Sequence, residues 1–402
     1  MLVMLMLGST AHAAGGAQSS WLVGTSSAAQ SATRGVGERV APGIRLVRGD
    51  GKTLSRLRRS PGVRWIERNR VFRASGSVLD PLLGRQWALG GRSGLRARDV
   101  WPTTAGNHVT VAVLDSGIRL DHPDLAPNLW TNPGEVATNG IDDDANGWVD
   151  DLHGANVVSG AGAPDDGFGH GTAVAGAIGA RGGNALGISG VAPRVRLQPV
   201  KVLDDHGTGS TLTVVEGMRY ALAHGARVIN VSLNGPKGSQ ALEETIGAAE
   251  AMGVLVVASA GNDGQDRDRI PSYPASTPSE AVVSVTSVGR RGYLARGAAY
   301  GAVSVDVAAP GTRVLTTAPS GYGVYSGTSF AAAHVSGALA LMAAARPDAS
   351  GRQLKDALIH GARRSSALFG LVAHGRVNTA GAIARLVPGV GRQTRHRAAG
   401  RG

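Results

Sequence analysis

Apolar segments alternate with helix-like segments from residue 80 to about residue 388, which is typical of a parallel sheet covered by helices. Several of the apolar segments contain hardly any polar residue, as strands that are buried on both faces do. The segments are 109–114, 196–202, 227–232, 254–258 and 282–288. The pattern therefore predicts an α/β fold with three layers, α/β/α, around a mainly parallel central sheet.

The chain before residue 80 has a different pattern, with shorter segments and more polar residues between them. Segments 21–24, 43–47 and 62–69 predict strands, and the basic segment 52–59 predicts a short helix. A Gly/Ser-rich break follows at 74–77. We therefore predict a small α+β domain over residues 15–78 and a large domain over residues 79–388.

Charge is distributed unevenly between these parts. The formal net charge is +12, yet residues 15–79 alone contain 12 Lys or Arg and 3 Asp or Glu. Residues 385–402 add 5 Arg and no acidic residue, which leaves 24 basic and 26 acidic side chains for the rest of the chain. The large domain thus has no excess of positive charge, and we expect no nucleic-acid binding.

The two ends of the chain differ from the part between them. Residues 1–14 join an apolar stretch to a small-residue site at 11–14, as a signal peptide does, although no Lys or Arg precedes the apolar stretch. Either the true start lies upstream or the signal is a weak one. No later run reaches the roughly 18 apolar residues of a membrane span, so none is expected. The basic residues 389–402 predict a disordered tail.

The chain contains no cysteine, which excludes disulfides and thiol chemistry. Three other side chains can cooperate in amide hydrolysis. Asp115 follows the strand 109–114, His170 opens a helix after a glycine turn, and Ser329 begins another helix. A serine hydroxyl needs a base to take its proton, and an acid must hold that base in one tautomer. The sequence predicts these roles for Ser329, His170 and Asp115, with the Ser329 N–H facing a developing oxyanion.

The sequence motifs around Asp115, His170 and Ser329 resemble those of a known family. Val-Ala-Val-Leu-Asp-Ser-Gly, Gly-His-Gly-Thr-Ala-Val-Ala-Gly and Ser-Gly-Thr-Ser-Phe-Ala-Ala-Ala-His, in the order Asp, His, Ser, resemble the subtilisin-like serine peptidases. The resemblance implies a secreted serine endopeptidase that cleaves extended polypeptides through an acyl-enzyme. Segment 62–69 is similar to the end of the family's inhibitory propeptides. Residues 15–78 would then act as intramolecular inhibitor and chaperone in a self-processing precursor, and we expect a monomer.

The resemblance also assigns the oxyanion and substrate residues. Asn262 ends a predicted strand and is similar to the family's oxyanion asparagine. One edge for the extended substrate is formed by Gly207, Thr208 and Gly209. The walls of the P1 pocket are Ser232, Leu233, Asn234, Ser259, Ala260 and Gly261. Asn234 stands where the family commonly has glycine, which leaves the width of the pocket open, and Asp263 at the rim is a candidate for accepting a basic P1 side chain, although solvent would weaken this interaction.

An acidic loop predicts a calcium site. Its residues correspond to positions 1, 3, 5, 7 and 9 of a calcium-binding loop, with a glycine at position 6. They are Asp142, Asp144, Asn146, Trp148 and Asp150. His153 stands at position 12, where an EF-hand has glutamate, and the alternative interpretation is a solvated acidic turn. The resemblance implies a second calcium site, with side-chain ligands Gln86, Asp124 and Asn184.

Two residues near the nucleophile depart from the family pattern, since Phe330 replaces the usual Met and Ala333 the usual Pro. Of the other histidines, His334 lies about 140° around the helix from Ser329 and is predicted to be structural. His122 is placed in a surface turn, where the family does not use it in catalysis. Segment 273–275 resembles a family turn with a cis peptide, so we predict cis Pro274.

Two other functions remain open at this point. The first is a catalytically inactive protein of the same fold that binds or inhibits, which the intact catalytic residues disfavour. The second is a calcium-binding surface module in which the three catalytic side chains are incidental. Active-site labelling of Ser329 distinguishes the first from an enzyme, and casein hydrolysis by a Ser329→Ala variant distinguishes the second.

Overall fold

The computed structural model describes residues 20–26, 37–48, 51–69, 79–91, 93–136, 138–160 and 162–387. The chain divides into two compact units, Met1–Gly76 and Ser77–Gly402, and each is described by itself. The predicted signal segment 1–14, the Gly/Ser break at 74–77 and the predicted tail 389–402 lie outside the described residues.

The first unit contains a four-stranded antiparallel sheet with the order β2-β3-β1-β4 and one helix, α1. Its elements are β1 (Ser20–Thr25), β2 (Glu38–Ala41), β3 (Ile44–Arg48), α1 (Gly51–Arg58) and β4 (Val63–Arg68). Val23, Val47 and Leu57 form its small core. The three predicted strands and the helix are confirmed, whereas β2 was missed because its residues are mostly exposed and show no alternation.

The second unit is built on an eight-stranded sheet with the order β14-β11-β10-β9-β8-β5-β7-β6, in which every neighbouring pair is parallel. Its strands are β5 (Thr110–Asp115), β6 (Ala155–Asn156), β7 (Arg196–Lys201), β8 (Val228–Val231), β9 (Leu255–Ser259), β10 (Val282–Val288), β11 (Val307–Pro310) and β14 (Gly375–Arg376). All five predicted strands are present, each within a residue or two of its predicted bounds.

Helices cover both faces of this sheet. They are α2 (His170–Gly179), α3 (Thr211–Ala223), α4 (Gln240–Ala251), α5 (Thr328–Ala345), α6 (Gly351–Gly361) and α7 (Thr379–Leu386). Alternate residues of β5 enter different cores: Val111 and Val113 pack with α2 and α5, and Ala112 and Leu114 pack with α3 and α4. Because successive side chains of a strand point to opposite faces, this division confirms the predicted three-layer α/β/α arrangement.

The helix α5 lies in the core of the second unit. Contrary to the expectation that no segment could span a membrane, this helix is long and apolar enough to do so by length and composition. However, 89% of it is buried inside the unit. An antiparallel hairpin of β12 (Val314–Thr317) and β13 (Tyr322–Tyr325) leads directly into its first turn. The hairpin therefore helps to place the residues at the start of α5.

Candidate active site

The carboxylate of Asp115 lies at the carboxyl end of β5 and is fully buried. Its Oδ1 accepts a hydrogen bond from the N–H of Ser116 at 2.8 Å. The Nδ1 atom of His170 lies 2.8 Å from Oδ1 and 3.0 Å from Oδ2 of the same carboxylate. The structure thus brings together the predicted acid and base. Because an ionised carboxylate only accepts hydrogen bonds, the Nδ1 atom of His170 must carry a proton.

The first turn of α2 is tied to β5 by a network around Asp166. The Oδ1 of Asp166 accepts hydrogen bonds from the Ser116 hydroxyl at 2.8 Å and the Gly169 N–H at 2.7 Å. Its Oδ2 accepts from the N–H of Thr172 at 2.8 Å and the hydroxyl at 2.6 Å. Sequence reasoning missed this residue, although an acidic residue just before a helix start is a capping signal.

Close packing explains the glycine after His170. A Cβ atom on Gly171 would lie 2.0 Å from the carbonyl oxygen of Gly117. No side chain fits in that space, so a larger residue would push α2 away from the end of β5. Gly171 therefore sets the distance between the base and the acid.

Burial alone lowers the pKa of His170, because it disfavours the charged ring. The charge and hydrogen bond of Asp115, assisted by the charge of Asp166, outweigh burial and raise the pKa above its ordinary value of 6.5. The surroundings therefore favour the imidazolium that forms when this histidine accepts a proton.

Ser329 is the second residue of α5, as predicted for a nucleophile at a helix start, and it is 7% exposed. Its hydroxyl donates to the carbonyl of Ser232 at 3.3 Å, and the Ser232 hydroxyl donates to the Ser329 carbonyl at 3.1 Å. The ring of the next residue, Phe330, lies 5.9 Å from the ring of His170. The predicted base thus lies beside the residue that follows the predicted nucleophile, while the serine hydroxyl is bonded to Ser232.

Asn262 is oriented by the residue that precedes the nucleophile. Its Oδ1 accepts hydrogen bonds from the N–H of Thr328 at 2.9 Å and from the Thr328 hydroxyl at 3.1 Å. A backbone N–H can only donate, which fixes the carboxamide oxygen at this position. The Nδ2 atom, which has no hydrogen-bond partner among the described residues, is available to donate to a ligand.

The predicted substrate-binding segments all lie at the carboxyl edge of the sheet. The segment 207–209 follows β7 in an exposed turn, where Thr208 is bonded through its backbone to Asp204. Segments 232–234 and 259–261 follow β8 and end β9. Asn234 connects them, because its Nδ2 donates to the Ser259 carbonyl at 2.7 Å and its Oδ1 accepts from the Ser259 hydroxyl at 3.3 Å.

The expectation for Asp263 needs correction. Its carboxylate is paired with the buried guanidinium of Arg267 at 2.6 Å. Burial alone raises the pKa of Asp263, but the hydrogen bonds from Arg267 and from the Gln265 N–H, together with the charge of Arg267, outweigh it and hold the pKa below its usual value. Arg267 also donates to the carbonyl of Ala260 at 2.6 Å. The negative charge is therefore already compensated and does not favour a basic P1 side chain.

The acidic loop is arranged differently from the predicted calcium loop. Carboxylate oxygens of Glu135, Asp142 and Asp144 lie within 4.8 Å of one another. Glu135 was not predicted, since it is seven residues before the loop; it is 7% exposed, and its Oε2 has no partner among the described residues. Asp150 is turned elsewhere, because it accepts from the N–H groups of Asn139 and Gly140.

Of the remaining two predicted ligands, Asn146 and Trp148, the side chain of Asn146 has other partners. Asn146 donates from its Nδ2 to Asp151 at 3.1 Å, and its Oδ1 accepts from the N–H of Trp148 at 2.8 Å. The side chain of Asn146 is thus occupied within the loop. Asp142 and Asp144 also accept N–H bonds, from the backbone at 146–147 and from Asn132. Their oxygens nevertheless converge with the Oε2 of Glu135, which has no partner among the described residues, so the fit to a hard cation such as Ca²⁺ rests on these three residues.

The second predicted calcium site is not open to a cation. Asp124 accepts hydrogen bonds from the Nδ2 of Asn184 at 2.8 Å and from the Tyr322 hydroxyl at 2.9 Å. It also accepts one from the N–H of Ile188 at 3.0 Å. Gln86 is bonded to the backbone of Ser189 instead of joining Asp124. Donors rather than oxygens face the carboxylate, so these three residues do not fit as a ligand set.

The other histidine predictions have different outcomes. His334 is 2% exposed, its Nδ1 is hydrogen bonded to the Pro310 carbonyl at 2.7 Å, and burial lowers its pKa to about 4, which confirms a structural role. His122 is buried rather than on the surface, because its ring packs against Tyr322 and its Nε2 bonds Gly321. The peptide before Pro274 is cis, as predicted.

Comparisons with known proteins show which family this chain is similar to. Residues 106–393 match the family model described as the subtilase family. Subtilisin from Bacillus pumilus is 38% identical over 257 residues, which is 63% of this chain and 83% of that protein. Thermitase from Thermoactinomyces vulgaris is 34% identical over 290 residues, 72% of this chain and 93% of that one. A solved protease structure from Pseudoalteromonas arctica is 31% identical, with a TM-score of 0.66, and covers 78% of this chain and 100% of its own.

Proposed function

Because this chain belongs to the subtilase family of serine endopeptidases, we propose that it cleaves polypeptides with Asp115, His170 and Ser329 as its catalytic triad. The observation that carries the proposal is the contact of His170 Nδ1 with the buried carboxylate of Asp115, at 2.8 and 3.0 Å. An imidazole held in this way presents an unprotonated Nε2 to a nearby hydroxyl.

Each catalytic step uses one of the described groups. Ser329 rotates from Ser232, loses its proton to His170 Nε2 and attacks the scissile carbonyl. The Nδ2 of Asn262 and the N–H of Ser329 donate to the tetrahedral oxyanion. His170, now an imidazolium beside Asp115, returns the proton to the leaving amine. Water, activated by the same histidine, then hydrolyses the acyl-enzyme.

The substrate lies extended at the same edge of the sheet. The exposed backbone at 207–209 and the segment after β8 offer hydrogen bonds to its two sides. The P1 side chain enters between the segments 232–234 and 259–261. Asn234 connects these walls by two hydrogen bonds, so the pocket accepts small P1 residues best.

We further propose that the protein is made as an exported precursor. Residues 1–14 act as the signal peptide, and residues 15–78 inhibit and help to fold the domain that follows them. The division of the chain into two compact units supports this assignment, since a removable segment needs a core of its own. The mature enzyme is a monomer, cut near residues 74–79.

Calcium is proposed as a structural ligand of the acidic loop. Glu135, Asp142 and Asp144 would hold it, and the ion would neutralise three carboxylates that otherwise repel one another. In a chain without disulfides, such an ion would fix the loops around α3 in place.

A single comparison tests the catalytic proposal. Wild type and Ser329→Ala are produced from the full-length gene, and N-terminal sequencing and intact mass are measured together with casein hydrolysis. We expect the wild type to lose its first 74–79 residues and the variant to stay uncut. Turnover should fall about 10⁶-fold, the loss known for the equivalent serine in subtilisin.

The matched control is Ser320→Ala, since Ser320 is an exposed serine in the hairpin before α5. It should process normally, hydrolyse casein and react with a fluorophosphonate probe. Equal processing of the wild type and Ser329→Ala would overturn self-maturation. Failure of the probe to label the wild type would favour an inactive binding protein, and casein hydrolysis unchanged by Ser329→Ala would favour the calcium-binding module.

A further inference from the structure

A pocket of about 290 Å³ in the second unit has a strongly positive lining. It lies between the segment 85–87, the turn after β10 and the hairpin β12–β13. Its lining residues are Arg85, Trp87, Arg290, Thr312, Arg313, Leu315 and Val324. Three of the seven are arginines and none is acidic, and none of the proposed catalytic residues takes part.

The three arginines have no acidic partner among the described residues. Other arginines of this unit do: Arg96 pairs with Asp99 at 2.6 Å, and Arg267 pairs with Asp263 at the same distance. Arg85, Arg290 and Arg313 are exposed and form no such ion pair in the part of the chain that the structure describes. Three like charges around one small pocket create a local positive potential.

This potential is not part of a general basic surface. Outside residues 15–79 and 385–402, the chain has 24 basic and 26 acidic side chains, so its net charge is slightly negative. The arginines therefore concentrate positive charge at one place in a unit that elsewhere balances it. A local cluster of this kind favours a ligand of similar size and opposite charge.

The backbone at Arg313 is held in place from two sides. Its φ is 51°, in the left-handed region that a residue with a side chain seldom adopts. The N–H of Arg313 donates to the Ser326 hydroxyl at 2.9 Å, and its carbonyl accepts from the Trp87 Nε1 at 3.3 Å. Side chains from two other segments thus support an otherwise unfavourable conformation at an arginine that lines the pocket.

We propose that this pocket binds an oxyanion ligand with at least two negative charges. A planar guanidinium donates two parallel hydrogen bonds to a carboxylate or a phosphate, and it also stacks on an aromatic ring such as Trp87. Three guanidinium groups match two or more anionic groups, and 290 Å³ admits a ligand of that size. The shared chemistry fits either a small phosphate ester or the neighbouring carboxylates of an acidic peptide.

Binding is measured on the full-length Ser329→Ala variant, so that no peptide is cleaved and the result does not depend on the catalytic proposal. The probes are inorganic pyrophosphate and a hexaglutamate peptide, titrated in calcium-free buffer by calorimetry. Sodium chloride at matched ionic strength controls for screening. We expect saturable binding of at least one probe, together with a rise in Tm that the salt control does not give.

Two double variants locate the site. Arg290→Gln with Arg313→Gln removes two pocket charges, and Arg291→Gln with Arg296→Gln removes two exposed charges that do not line the pocket. The pocket variant should bind at least tenfold more weakly, whereas the control variant should bind almost as the parent does. Arg85→Gln serves as a second pocket variant, and unchanged Tm values without probe show that each variant folds.

The outcomes separate the two sources of the ligand. Binding of pyrophosphate alone assigns the pocket to small phosphate-like anions, and binding of hexaglutamate assigns it to acidic polypeptide. The proposal is overturned if neither probe binds above the salt control. It is equally overturned if the control double variant weakens binding as much as the pocket double variant.

Discussion

At the scale of single residues, Asp166 has two effects on the same histidine. Its four hydrogen bonds from Ser116, Gly169 and Thr172 fix the start of α2, and its charge helps to raise the pKa of His170. A positioning role and an electrostatic role can be separated, because only the second changes a titration midpoint.

The pH dependence of activity should show the effect of the Asp166 charge on the pKa of His170. His170 must be unprotonated to act as base, so kcat/KM should be lost as pH falls through its raised pKa, above 6.5. The contribution of the charged His170–Asp115 pair to the free energy of unfolding depends on pH in the opposite direction. It is fully present below pH 6.5 and is lost as pH rises through the raised pKa. Asp166→Asn should move the acidic limb of kcat/KM to lower pH.

The control for this measurement is Asp165→Asn, which removes an exposed neighbouring carboxylate that does not raise the His170 pKa. Its acidic limb should stay where the wild type has it. A loss of activity in Asp166→Asn without movement of the limb would show that Asp166 acts through structure alone.

Phe330 predicts resistance to oxidants. The ring is 3% exposed, stacks on Tyr325 at 5.5 Å and lies beside His170, where the family usually has a methionine. A thioether at this position would be oxidised next to the nucleophile, whereas a phenyl ring is not. Wild-type activity should survive peroxide treatment that inactivates Phe330→Met. Equal inactivation of both would contradict the prediction, and mass spectrometry after treatment gives the site of oxidation.

The positions of the proposed catalytic residues could be predicted because each lies in a contiguous motif that fixes its own local backbone, as at Gly171 and Thr328. Glu135, Arg267 and Asp166 could not be predicted in the same way. Their roles depend on partners in other segments, and a single sequence gives no distance between segments. Asp263 illustrates the limit, since its position was expected but its ion pair with Arg267 was not.

At the scale of elements, the loops after β8 and β9 act as one unit because Asn234 joins them. Its two hydrogen bonds to Ser259 connect the two segments between which we propose that the P1 side chain enters. We therefore expect the wild type to prefer Ala over Phe at P1. Asn234→Gly removes the connection and should raise the kcat/KM ratio of Phe to Ala substrates about tenfold or more.

Ser259→Ala is the matched variant for this series. It deletes one of the two hydrogen bonds and keeps the one to the Ser259 carbonyl, so an intermediate ratio is expected. Peptide substrates that differ only at P1 give the measurement. A ratio that stays the same in Asn234→Gly would show that Asn234 does not limit the pocket.

Strand prediction succeeded for five buried strands of the central sheet, but it missed the buried four-residue strands β11 and β12 as well as the shortest elements. The strands β5, β8, β9 and β10 are buried along their whole length, and most of their residues are apolar. By contrast, β6 and β14 have two residues each, too few for any periodicity. The half-exposed β13 mixes glycine, tyrosine and valine, and only pairing with β12 makes it a strand.

At the scale of the whole molecule, calcium should control stability through the acidic loop. Burial is the largest cause of the raised pKa of Glu135, because the ionised carboxylate is disfavoured where water is excluded and no cation is bound. Calcium at one hundred times its Kd adds about 2.7 kcal/mol to the free energy of unfolding, and Tm should rise by about 5 °C. Thermal unfolding of Ser329→Ala with calcium and with chelator measures this without self-digestion.

Two further variants in that background distinguish the observed cluster from the predicted loop. Glu135→Gln should abolish most of the calcium-dependent rise in Tm, and Asp150→Asn should retain it, since Asp150 bonds the backbone at 139–140. If Asp150→Asn is the variant that loses the response, the loop binds calcium in the arrangement that its sequence predicts.

The burial of α5 determines the kinetics of autolysis. Ser329 is the second residue of a helix of which 89% is buried, so a molecule open enough to be digested has already lost the arrangement of its proposed catalytic residues. Autolysis then requires one folded molecule and one unfolded molecule, and its rate follows the product of the two populations. That product is largest when half of the molecules are unfolded. Self-digestion should therefore be second order in protein concentration and fastest at the unfolding midpoint, and slower on either side of it.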